Sequence, residues 1–356
     1  MSAMLESTTE HQARARVALS AALLTGPSHA YLFRGPRGAG KSAVARAFAA
    51  EILAVDATDP DDARRRVLID PSPHPDLVWL RPRGAQHMVE EVREKVIRAA
   101  SYRPFEADKR VFVIEAAEQM RDESQNALLK TLEEPPAYVH LVLLTAEPAM
   151  LLETIASRCQ PIDFAPLPIE AVEAALVGTG SPDDLATAAR LSAGDPARAR
   201  FLLSDSGKAL RAAALEMDND WQRVLKTAES AGEEAEEATR RILDEETEAG
   251  IKRSAKDITD EAKRAGRRRR TETLDLALEL NAGWFRDLAA TASGATDVVF
   301  NRDRLADLQS RAATLDPSRP RRAAELVQDT RRRLDLNVSE ELALEALAFR
   351  LTAVFA

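Results

Sequence analysis

The sequence predicts an α/β P-loop domain on a parallel sheet, followed by helical domains. Three observations predict this. Short apolar segments alternate with amphipathic ones as far as Phe164, as strands do when helices link them. The first of these strands runs into Gly35-Pro36-Arg37-Gly38-Ala39-Gly40-Lys41-Ser42, and the alanine-rich stretch Ala43 to Leu53 follows. From Pro166 onward no strand pattern recurs, and the apolar spacing is helical.

Residues 12–23 read as a helix leading into the strand Ala30–Phe33. After the P-loop helix, Val55 to Pro75 is rich in Asp, Pro and Arg. Leu77–Leu80 is a second strand. Met88 to Ser101 is a helix, with Met88, Val89, Val92, Val96, Ile97 and Ala100 near helical spacing. Arg110–Glu115 is a continuous apolar strand ending in an acid, suited to a sheet covered on both faces. Asp122–Glu134 is a helix stopped by Pro135-Pro136. Leu141–Thr145 is a strand, Leu151–Arg158 a short helix and Gln160–Phe164 a fifth strand. Pro168 to Leu203 reads as short helices broken at Gly178-Thr179-Gly180 and Gly194-Asp195-Pro196. Helices around Leu274–Leu288, Ala323–Leu334 and Glu340–Val354 carry apolar stripes.

The glycine-rich loop has a definite chemistry. Gly35, Gly38 and Gly40 allow sharp turns that aim backbone N–H groups at phosphate oxygens. The following helix adds its positive end. Lys41 would reach the terminal phosphates, and the Ser42 hydroxyl would ligand Mg²⁺. Strand, loop and helix stand in the order this motif requires.

Composition narrows the rest. At 356 residues the chain is long enough for roughly two to three domains. No run approaches the ~18 apolar residues of a membrane span, so no membrane partner is expected. The polar segment Met1 to Arg16 lacks a signal-peptide core, and the single cysteine, Cys159, suits a reducing cytoplasm. The net charge of −9 excludes a surface coated for nucleic acid, so any such contact is local. Glu229–Glu248 is acid-rich and Lys256–Arg270 base-rich, and large apolar residues from 229 to 270 are sparse: Ile242, Leu243, Ile251 and Ile258. This predicts an exposed, pair-stabilised helical excursion. The other reading, a phosphate-contacting arm, suffers from repulsion by the acidic half.

Three stretches carry a family resemblance. They are His29-Ala30-Tyr31-Leu32-Phe33, the run Ser124-Gln125-Asn126-Ala127-Leu128-Leu129-Lys130-Thr131-Leu132-Glu133-Glu134-Pro135-Pro136, and Thr154-Ile155-Ala156-Ser157-Arg158-Cys159. With the P-loop, they make the chain resemble the bacterial DNA polymerase III clamp-loader subunits of the AAA+ type, most of all the delta-prime branch. The close match covers about residues 12–165. Asn337-Val338 to Leu351 resembles the end of the family's collar domain more loosely. The resemblance implies an AAA+ domain over 1–165, a helical lid over 166–205 and a helical collar over 206–356. It also implies a cytoplasmic pentameric ring, with gamma/tau and delta subunits, that places the sliding clamp (beta) on primed DNA.

The resemblance assigns roles residue by residue. Arg158 would be an arginine finger acting in trans on a neighbour's ATP site. ATP and Mg²⁺ become candidate ligands of Gly35, Gly38, Gly40, Lys41 and Ser42, with Glu115 near the metal. Thr145 stands where the family senses the γ-phosphate, although a threonine that merely ends a strand looks the same. Arg198 stands near the lid arginine, as many surface arginines could. The base position after Glu115 holds Ala116, which accepts no proton, and Glu118 is three residues beyond Glu115. The chain is therefore expected to hydrolyse ATP at background rate by itself, and the resemblance implies little or no polymerase activity. This favours delta-prime over a gamma/tau-type ATPase or another AAA+ DNA-processing protein. Many relatives carry a four-cysteine zinc module after the P-loop helix; residues 54–76 hold no cysteine and one histidine, His74, so no zinc is expected.

Overall fold

The computed structural model describes residues 3–82, 86–217, 219–248, 254–334 and 338–355. Ile251 and Asn337, used above, lie outside them. The chain divides into two compact units, Met1–Ala171 and Val172–Ala356.

The first unit runs α1 (Ala3–Thr8), α2 (Ala13–Thr25), β1 (Ala30–Arg34), α3 (Lys41–Ala54), α4 (Pro60–Leu68), β2 (Leu77–Leu80), α5 (Val89–Val92), β3 (Arg110–Ile114), α6 (Asp122–Glu133), β4 (Val139–Thr145), α7 (Glu153–Ala156) and β5 (Gln160–Asp163). The strands form one parallel sheet in the order β2-β3-β4-β1-β5. Alternate residues of each strand face opposite ways, and the two cores follow that alternation. Tyr31, Phe33, Val111, Val113, Val142 and Leu144 pack with α3 on one face. Leu32, Phe112, Ile114, Leu141 and Leu143 pack with residues of α5, α6 and α7 on the other. Phe48 of α3 meets the Tyr31 ring edge-on at 5.1 Å and the tilted Phe33 ring at 6.5 Å. This seats the P-loop helix on β1, and truncating Phe48 to alanine would cost about 3–5 kcal/mol.

Two local features depart from the expected pattern. The Asp- and Arg-rich stretch after α3 contains α4, which has no long apolar stripe. Its start is fixed by the Asp59 carboxylate accepting from Asp62 N–H and by Pro60 in the first turn; Asp61 and Asp62 stand at its positive end, Arg65 and Arg66 at its negative end. The helix expected over Met88–Ser101 passes from α5 into a π-helical stretch, Arg93–Arg98.

Short α8 (Ile169–Ala174) spans the division between the units, a few residues past the expected 165 boundary. The second unit is helical in its described residues: α9 (Pro182–Leu191), α10 (Pro196–Leu203), α11 (Asp205–Leu215), α12 (Trp221–Glu248), α13 (Ala255–Ala292), α14 (Leu305–Ala312), α15 (Ser318–Leu334) and α16 (Glu340–Phe355). The charged segment forms most of α12 and the first half of α13, which run antiparallel. Small residues close their seam: Ala228, Ala262, Gly232 and Gly266 are buried beside Leu243 and Ile258. Sparse large apolar residues therefore do not mean a loose excursion here. Among the described residues no helix is long and apolar enough to cross a membrane.

Candidate nucleotide site and arginine finger

The chain leaves β1 and turns at Gly35, whose N–H donates to Thr145 O at 3.2 Å. A Cβ on Gly35 would lie 2.3 Å from the Phe164 carbonyl oxygen, so only glycine passes there. Gly40 adopts φ 83° and precedes α3 with no side chain capping the helix. The first N–H groups of a 14-residue helix are thus presented to the loop. Lys41 Nζ donates to Gly35 O (2.5 Å) and Pro36 O (2.7 Å), so its ammonium lies over the loop it would serve. Ser42 is exposed beside it.

Glu115 follows Val113 by two residues, and its N–H continues the ladder by donating to Leu80 O at 2.9 Å. Strand alternation puts its side chain on the α3 face. This is the face a metal-holding acid needs, but the carboxylate is engaged. Trp79 Nε1 donates to Oε1 at 2.9 Å and Arg81 Nε to Oε2 at 3.2 Å. Arg81 also grips Asp70, through Nη1 at 3.1 Å and Nη2 at 2.7 Å. Arg46, one turn beyond Ser42, pairs with Asp70 at 3.1 Å and lies 4.2 Å from the Trp79 ring centroid. The Arg81 hydrogen bond holds the Asp70 carboxyl below its ordinary pKa.

Ala116, at the position where the base was expected, adopts a left-handed conformation, φ 48° and ψ 53°, and presents only a methyl group. Glu118 lies on the turn Ala117–Gln119 beyond it. Thr145 is buried and brought against the loop, although its Oγ1 accepts from Glu147 N–H at 3.1 Å. Sequence reasoning missed Gln12. Its Nε2 donates to Ala39 O (3.0 Å) and Ala165 O (2.8 Å), while its Oε1 accepts from Ala165 N–H at 3.0 Å. Trp79 and Arg81 were missed too. No local spacing links them to Glu115; the pairing of β2 with β3 does.

The donor set therefore fits a nucleotide in part. Glycine loop, helix end and Lys41 suit a polyphosphate, and bound Mg²⁺ would supply charge shielding at Ser42. Glu115, already held by a cation and an indole, does not fit the metal-supporting role assigned to it.

Arg158 lies just past α7, with Ile155 and Cys159 in the core on the sheet face opposite α3. Its Nη1 donates to Thr154 O at 2.8 Å, and its Nη2 pairs with Glu133 at 2.7 Å. The guanidinium is about a third exposed. Burial pushes the Cys159 thiol up to about 12, so it stays protonated and is a packed residue, not a nucleophile. Arg198 is in the second unit, where its Nη1 pairs with Glu279 of α13 at 2.8 Å. His74 is buried and faces Glu106 at 3.2 Å.

Residues 14–168 match the family described as DNA polymerase III, delta subunit. The α/β unit therefore resembles that of the DNA polymerase III clamp-loader subunits. DNA polymerase III subunit delta' of Bacillus subtilis is 35% identical over 155 residues, 42% of this chain and 46% of that protein. Subunit delta' of Pseudomonas aeruginosa is 34% identical over 201 residues, 53% of this chain and 60% of that protein. The tau/gamma subunit of Haemophilus influenzae is 38% identical over 134 residues, 37% of this chain and 19% of that protein. The chain thus spans about half the length of the delta' relatives it matches. The clamp-loader match rests on the unit that holds the P-loop and Arg158.

Proposed function

We propose that this chain is the delta-prime-type member of a clamp-loader ring, idle at its own P-loop and contributing Arg158 to a neighbour's ATP site. The observation that carries this reading is a separation. Arg158 is on the sheet face opposite the P-loop helix and partly exposed, and among the described residues its guanidinium is held by Glu133 and Thr154 O. A guanidinium there is better placed for an adjacent subunit than for Lys41. Ala116 supports the other half, because its methyl group cannot accept a proton from attacking water. By this reading the partners are gamma/tau and delta subunits, the sliding clamp and primed DNA, in the cytoplasm. Residues 166–205 would act as lid and 206–356 as collar.

Arginine fingers stabilise charge that develops in phosphoryl transfer, and their loss costs about 10³–10⁵ in rate at the site concerned. Assembled with its partners, Arg158→Ala should lower clamp- and DNA-stimulated ATP hydrolysis while the ring still forms. The loss is partial, since only one of several sites depends on this subunit. Arg158→Lys should not rescue, because an ammonium lacks the planar fork. Parent-level hydrolysis by both variants in verified complexes overturns the finger role.

A gamma/tau-type motor is the second reading, favoured by the complete glycine loop with Lys41 and Ser42. It requires turnover by the isolated chain that Lys41→Ala abolishes.

A further inference from the structure

The pairing around Glu115 has a consequence for what the P-loop binds. In a metal-dependent nucleotide site the acid at the end of the third strand is available to the metal and its water. Here Arg81 approaches one oxygen at 3.2 Å and Trp79 Nε1 the other at 2.9 Å. Arg81 is itself fixed on its far side by two bonds to Asp70, and Asp70 is fixed by Arg46 of the P-loop helix. Glu115 and Asp70 supply two negative charges, and Arg46 and Arg81 supply two positive ones. The cluster is closed and neutral. Arginine cannot shed its proton in a protein, so the Glu115 charge stays compensated at every working pH. A divalent ion would have to break this pairing and gain a carboxylate whose charge is already met.

We propose that this P-loop binds the diphosphate of a nucleotide without Mg²⁺, Arg81 holding the charge opposite Glu115 that a metal holds in other P-loops. The phosphates are met by N–H groups at the end of the loop, from Gly38 to Ser42, where α3 starts uncapped, and by Lys41. Without a metal to shield a third phosphate, a nucleoside diphosphate binds at least as tightly as the triphosphate. The inference rests on the loop being a phosphate cradle and is independent of the finger role of Arg158.

The test is titration of the full chain with a fluorescent ADP analogue, in Mg²⁺ and in excess chelator, with folding checked by circular dichroism. The expected affinities agree within about threefold, and Lys41→Ala abolishes binding. Arg81→Gln, which frees Glu115, should bind about tenfold more tightly in Mg²⁺ than in chelator. Glu115→Gln should remain as indifferent to the metal as the parent. A parent affinity that falls about tenfold on chelation overturns the proposal. So does an Arg81→Gln variant indifferent to Mg²⁺, or binding that survives Lys41→Ala. Absence of binding in both conditions also overturns it, and leaves the ring role standing, since stimulated hydrolysis by the assembled complex reads that role separately.

Discussion

The amide of Gln12 donates to Ala39 O and Ala165 O and accepts from Ala165 N–H, so one buried side chain ties the P-loop to the chain beyond β5. Gln12→Ala leaves these backbone groups without partners, at a cost of about 1–3 kcal/mol. The loss should be local first: amide exchange of Gly38–Lys41 should quicken and the unfolding midpoint should drop. Unchanged exchange and stability would show that water replaces the amide without penalty. Gln12 marks the limit of what the sequence discloses about the site. Gly35, Gly38, Gly40, Lys41 and Ser42 are legible because their spacing is local and the backbone geometry follows from the residue types. Gln12 bonds to residues 27 and 153 positions away, and Trp79 reaches Glu115 across 36. Such partners become neighbours only through the strand order, which apolar alternation does not specify.

α12 and α13 show the same limit at the level of elements. Their helical character was legible in the sequence; their seam was not, because an acidic run followed by a basic one suggests exposure. The seam depends on two glycines whose packing has no hydrophobic signature. A Cβ at Gly232 would lie 2.9 Å from Gly266 O, and a Cβ at Gly266 would lie 2.9 Å from Gly232 O. Backbone cannot swing aside as a flexible side chain can. Gly266→Ala gains about 1 kcal/mol of helix propensity but forces the two helices apart, at about 1–3 kcal/mol. It should therefore lower the unfolding midpoint. Gly283, in the same helix, is the internal comparison. Its Cβ would meet nothing nearer than Arg286 Nη2 at 4.0 Å, so Gly283→Ala should raise the midpoint by the propensity gain alone. Thermal unfolding of both variants checks this. Equal shifts in one direction would mean that the seam yields freely and the close approach does not constrain it.

Across the α/β unit, three histidines link stability to pH. Burial lowers the pKa of His74, His87 and His140. His87 Nε2 lies 2.7 Å from Glu115 O and donates to it, while its buried Nδ1 has no hydrogen-bond partner among the described residues. His140 uses Nδ1 toward Ser28 O at 2.9 Å, and its buried Nε2 likewise has none. A second proton on either ring would be a buried donor without an acceptor, which the fold resists. His74 faces Glu106, which opposes the shift but does not outweigh burial. In the unfolded chain all three take up protons below about pH 6.5. Because the folded pKa values are depressed, the unfolded state binds more protons in that range, and stability falls as pH falls. The aspartates of this unit held low by arginine, Asp62, Asp70 and Asp163, lose their contribution only on acidification below about pH 4, so they do not blur this window. Urea titration from about pH 7.5 to 5.5 should show a midpoint that declines steadily, with its steepest part below 6.5. A flat midpoint over that interval would mean that the three rings protonate in place, against the burial and the missing acceptors that should keep them neutral.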